Sequence, residues 1–125
     1  MTISQNGQPY WPPTWDHQGA DDDRRLRDMG LIIRGANPFE RNRMMLVLAG
    51  RGALGTEAAC TAALEPPYLK EIFERLKTNA GSSWHEGMTE DFNNNPFWAM
   101  ACMESTTKRE PKTKTLSIID AQFFQ

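Results

Sequence analysis

The sequence is poor in cysteine, in histidine and in net charge, and it holds no long apolar run. Only two cysteines, Cys60 and Cys102, occur in 125 residues, both in apolar surroundings, so two buried thiols are expected rather than a disulfide. No stretch approaches the roughly 20 consecutive apolar residues of a membrane helix. The first residues are polar and aromatic and lack the apolar core of a signal peptide, so a reducing, cytoplasmic setting is expected. The formal net charge is −2, and the local basic clusters are small: Arg24, Arg25 and Arg27; Arg41 and Arg43; Lys108, Arg109, Lys112 and Lys114. No global field draws such a chain to nucleic acid or to an acidic membrane, and neither is expected as a partner.

What is present describes one ordinary globular unit. Hydrophobic residues make up 39% and charged residues 24%, enough for one modest core. Residues 1–23 read as an irregular arm punctuated by Gly7, Pro9, Pro12, Pro13 and Gly19, and residues 24–125 as a single domain. The arm carries Tyr10, Trp11 and Trp15, and a purely disordered segment would be poor in aromatics. Trp11 or Trp15 is therefore expected to pack, on the domain itself or on a partner.

Along the domain the patterns alternate clearly. Gly30–Gly35 reads as a short strand bounded by glycines, and Asn37-Pro38 as a turn. An apolar strand follows at 44–49. A thin, alanine-rich helix should open near residues 54–56 with Thr56 as its N-cap, and end at Glu65 before Pro66-Pro67. A second helix is expected from Pro67 to Asn79, with Leu69, Ile72, Phe73 and Leu76 as its apolar stripe and Gly81 as its stop. Residues 82–96 read as loop, 97–103 as a third strand and 115–123 as a fourth. The order is β-β-α-α-β-β, and the expected fold is α/β or α+β: a mixed, largely antiparallel four-stranded sheet with two helices on one face.

One segment points toward a chemistry. Gly50-Arg51-Gly52-Ala53-Leu54-Gly55-Thr56 joins the apolar strand to the first helix. Glycines let the main chain approach an anion closely, and the free N–H groups of a helix N-terminus point at it. Arg51 adds a guanidinium and Thr56 a hydroxyl, so Gly50, Arg51, Gly52, Gly55 and Thr56 form a candidate site for a nucleotide or another phosphate-bearing ligand. The plain alternative is a tight turn that needs glycine for its backbone.

Residues 44–63 resemble the dinucleotide-binding turn of Rossmann-type domains, with Gly50, Gly52 and Gly55 matching the Gly-x-Gly-x-x-Gly pattern. That family places a second parallel strand after the helix, ending in an acidic residue on the ribose. Here a Pro-Pro break and another helix follow, so the ribose role does not transfer to Glu71 or Glu74. No lysine follows the glycines as in a P-loop. The stretch from Asn37 to Ala59 is also similar to small α/β domains of multidomain prokaryotic signalling and defence proteins. That resemblance implies a regulatory or sensing domain rather than a stand-alone enzyme.

The remaining candidates are weaker. Trp84-His85-Glu86 with Asp91 gathers a histidine and two carboxylates, yet its spacing matches no metal pattern, and a solvated loop is the plainer reading. Cys60 beside His85 would make a nucleophile and base; core packing of the thiol is the default. Phe123 and Phe124 near the end, with Tyr10, Trp11 and Trp15 near the start, are candidate partner anchors. No complete catalytic set is visible. The expectation is a non-enzymatic regulatory or protein-interaction module, self-associating or bound to a protein partner. A sensor of a nucleotide or phosphorylated ligand at Gly50–Thr56 is the alternative, and a Cys-dependent enzyme comes third.

Overall fold

The computed structural model describes residues 4–5, 8–9, 14–17, 24–40, 42–106 and 113–124. Its strands are β1 (Ser4–Gln5), β2 (Gln8–Pro9), β3 (Thr14–His17), β4 (Arg24–Ala36), β5 (Met44–Gly50), β6 (Phe97–Thr106) and β7 (Lys114–Phe123). Its helices are α1 (Ala53–Leu64) and α2 (Pro66–Ala80), followed by a 3-10 turn at Gly81–Ser83. Residues 24–125 thus follow the order β-β-α-α-β-β in one small domain, a four-stranded sheet with two helices. The arm contributes a short antiparallel pair, β1 with β2, and a further sheet strand, β3, against the start of β4.

β4 is the axis of the sheet. It pairs with β6 along one edge, and with β5 and β3 along the other, and β6 in turn pairs with β7. Every pairing among the described residues is antiparallel, where the sequence left room for a mixed sheet. β5 and β6 therefore run the same way on opposite sides of β4, and α1 and α2 carry the chain across it.

β4 is much longer than the strand read from the glycines at residues 30 and 35. Its polar first half, Arg24–Asp28, is held as strand by pairing with the far half of β6. Arg27 and Glu104 stand opposite each other there, with a hydrogen-bonded ion pair at 2.7 Å. Cross-strand partners, not local composition, decide such a segment.

The main core lies between the sheet and the helices. α1 buries Gly55, Ala58, Ala59 and Ala62, the spacing of one helix face. These small residues bring the helix axis close to the strands. A methyl group on Gly30 would collide with the carbonyl of Gly55 and the backbone of Ala59. α2 follows at once, with Pro66 and Pro67 in its first turn, where a missing N–H costs nothing. It buries Ile72 and Leu76 against Ile32, Phe97, Ile118 and Ala121 of the sheet. Gly81 ends it at φ 57° and ψ −122°, a positive-φ conformation suited to glycine. A second cluster, Met29, Trp98, Met100 and Cys102, is buried on the opposite face of the sheet, with Leu31, Ile33, Ile119 and Phe124 packed against it. A bulge between Met100 and Ala101 shifts the β6–β7 register, so that Ile118 and Ala121, three residues apart, both face the main core while Ile119 faces the second cluster.

Candidate functional site

The glycine loop lies where the apolar strand runs into the first helix, as its sequence requires, but its interior is taken. Gly52, the residue before α1, is extended and contributes no side-chain cap. The cap comes from the neighbouring strand. Asp28, 3% exposed, points from β4 into the loop. Its Oδ2 accepts hydrogen bonds from the backbone N–H of Gly52 at 3.0 Å and of Gly55 at 2.8 Å. Its Oδ1 accepts one from Met29 N at 2.9 Å. A carboxylate set against the first free N–H groups of a helix satisfies them and suits the helix dipole. These are the donors an incoming phosphate would use.

The glycines make this contact sterically feasible. A side chain on Gly55 would strike the carbonyl of Met29 and lie 2.8 Å from Asp28 Oδ2. One on Gly50 would strike the backbone of Gly55 and Thr56. Thr56 is not the N-cap that its sequence position suggests. It lies inside the helix, where its hydroxyl donates back to Gly52 O at 3.1 Å. The N-cap position is Gly52, four residues earlier, because the capping side chain is supplied by Asp28 and not by a residue of the loop. Arg51 is exposed at the mouth of the turn.

The other candidates are not drawn together. Tyr10 and Trp11 lie outside the described residues, and of Trp15 the backbone alone is placed, opposite Leu26 in the β3–β4 pairing. Phe123 is half-buried and packs edge-on against Phe97 and obliquely against Trp84. Phe124 packs into the second cluster, and its N–H donates to Pro96 O at 2.9 Å. Both terminal phenylalanines thus serve the fold of their own chain. Cys60 is half-buried on α1, and both cysteines are free thiols. His85 is exposed, with Nδ1 3.1 Å from the carbonyl of Glu86, and Asp91 holds the side chain of Asn94. No cluster of three metal-binding side chains exists among the described residues. No helix among them is long and apolar enough to cross a membrane.

Two features escape a reading of the sequence. The first is Arg34, whose guanidinium lies 4.7 Å from the ring centre of Phe97 and 5.6 Å from that of Phe73, and donates to the carbonyl of Thr89. Burial pulls its pKa down, and the carboxylate of Glu90 works in the opposite direction. The second is the outer edge of β5. Among the described residues β5 has a strand neighbour on one side only. Met44, Leu46 and Val47 are 47%, 39% and 36% exposed, and Phe39, in the turn that leads into the strand, is 97% exposed. Leu46 shares the face of Leu48, which packs on the helix-side core, and Val47 the opposite face, beside Ile33. Apolar side chains are thus exposed on both faces of the edge strand.

Comparison of the chain with protein-family models, curated proteins and solved structures returns no match.

Proposed function

We propose that this chain is a non-enzymatic interaction module that takes a partner strand onto the open edge of β5. The carrying observation is the edge itself. Natural sheets guard their edges with lysine, proline, bulges or very short strands. β5 is seven residues long, and Met44–Gly50 contains none of these charges or prolines. Alternate N–H and C=O groups along its outer side offer a template for strand addition, with Met44, Leu46 and Val47 as the flanking apolar contacts. The filled glycine loop favours this reading over a phosphate sensor, since Gly52 and Gly55 already donate to Asp28. Two free thiols suit a reducing, cytoplasmic setting.

The test is native mass spectrometry of protein purified gently from its source cells, beside the Leu46→Lys, Val47→Lys double variant. The wild type is expected to carry a bound protein or a second copy, and the folded variant to run as the bare 14.2 kDa chain. A wild type that runs alone, or a variant that keeps its companion, would count against the reading. A retained nucleotide-sized adduct would return the glycine loop to the centre.

A further inference from the structure

Resting on strand addition at β5, we infer that the added segment belongs to a different protein and is an extended peptide with an uncharged, apolar middle and acidic residues at both ends. The inference comes from what brackets the edge. Met44–Gly50 carries no charge, and Arg43 and Arg51 stand immediately before and after it. Both are exposed. In an extended chain their positions lie about 27 Å apart, at about 3.4 Å per residue.

Arg43 has an ion pair with Glu40 at 3.4 Å, but the two side chains are 74% and 61% exposed. Such a surface pair is weakly held, and a better-placed carboxylate displaces it readily. Arg51 has no ion-pair partner among the described residues. The edge is thus an apolar strip with an arginine at each end, Arg43 in a loose surface pair with Glu40 and Arg51 in no ion pair among the described residues. A strand lying along it meets apolar neighbours on both faces in its middle, and its two ends come level with the exposed arginines that flank β5. Arginine takes a carboxylate in a two-pronged hydrogen-bonded pair, which fixes the register as well as the affinity.

The same charges argue against a second copy. Antiparallel self-pairing with the two β5 strands fully overlapped sets each Arg43 across from an Arg51, two like-charge pairs at the rims of one small interface. Like charges directly opposite in a sheet destabilise the pairing. A segment with acidic ends turns both contacts favourable, and the two charges steer it to the edge.

The test is selection of a displayed random-peptide library on the full chain, with peptides long enough to reach from Arg43 to Arg51. Enriched sequences are expected to carry Asp or Glu at two positions about eight residues apart, with apolar residues between. A synthetic peptide of that kind should shift the amide resonances of residues 44–50. The Arg43→Ser, Arg51→Ser variant should bind it about tenfold more weakly, and the salt dependence should flatten. Enriched peptides without acidic ends, or equal binding by the double-serine variant, would overturn the inference and leave strand addition standing, provided Leu46→Lys, Val47→Lys still abolishes capture. Selection that enriches nothing, or peptides that bind without moving the β5 amides, would overturn strand addition as well.

Discussion

The carboxylate of Asp28 stands 2.8 Å from the backbone nitrogen of Gly55, tying the middle of β4 to the first turn of α1. The same oxygen holds Gly52, so one buried side chain satisfies two donors that an unaided helix would leave open. Asp28→Ala should therefore lower unfolding free energy by about 2–4 kcal/mol, the cost of stranding buried donors on top of a lost cap. Asp28→Asn keeps an acceptor and loses the charge, and should cost about 1 kcal/mol. Urea unfolding of the three proteins checks both the size and the order.

The loop's capacity for anions is separable from its present occupant. Shortening Asp28 to glycine empties the space between Gly52 N and Gly55 N. Inorganic phosphate should then raise the melting temperature of Asp28→Gly more than that of the wild type, because an anion can re-cap the helix only in the variant. Equal shifts in a thermal melt would mean that phosphate binds elsewhere.

Glycines in this chain differ sharply in what they tolerate. Gly55→Ala puts a methyl group onto Met29 O and Asp28 Oδ2, and should cost at least about 3 kcal/mol, at the top of the range for overpacking. Gly81→Ala meets nothing within 4 Å and bears only the backbone strain of φ 57° with ψ −122°, about 2 kcal/mol. Parallel denaturation curves distinguish the two.

The two thiols should react at very different rates. Cys102 is 3% exposed, and burial pushes its pKa up. Glu104 and Asp28 push the same way, while Arg27 opposes them. A raised thiol pKa means less thiolate at neutral pH. In the folded protein a disulfide reagent should modify Cys60 first and Cys102 slowly. The rate at Cys102 should still climb with pH beyond the ordinary thiol range. Peptide mapping after timed quenching reads both.

Arg34 works through its planar head, which lies near the rings of both Phe73 and Phe97. Arg34→Lys keeps the charge and loses the stacking plane, and should destabilise by about 1 kcal/mol. An unchanged urea midpoint would mean that the aromatic contacts contribute little.

The elements were legible where local pattern and tertiary need agree. The stripe Leu69, Ile72, Phe73, Leu76 and the stop at Gly81 are helix signals on their own, and Ile72 and Leu76 do form the buried face. β4 was half legible. Arg24–Asp28 has no apolar alternation to mark it, and it is a strand because β6 lies alongside. The turn at Gly50–Gly55 was visible, but its content was not. The filling group lies on another strand, and nothing in the residues around Asp28 announces that its side chain faces a helix end. The open edge of β5 was equally hidden, since an apolar run reads the same whether one side or both are paired.

An anion that sought the glycine loop would face a rival fastened to the same molecule. Asp28 cannot diffuse away, and a group tethered beside its site acts at an effective concentration of order millimolar or higher. A phosphate ester at ordinary cellular levels would have to outcompete that and leave a buried carboxylate without its partners. The sequence signature that most resembles a nucleotide grip is thus a lock whose key is part of the chain.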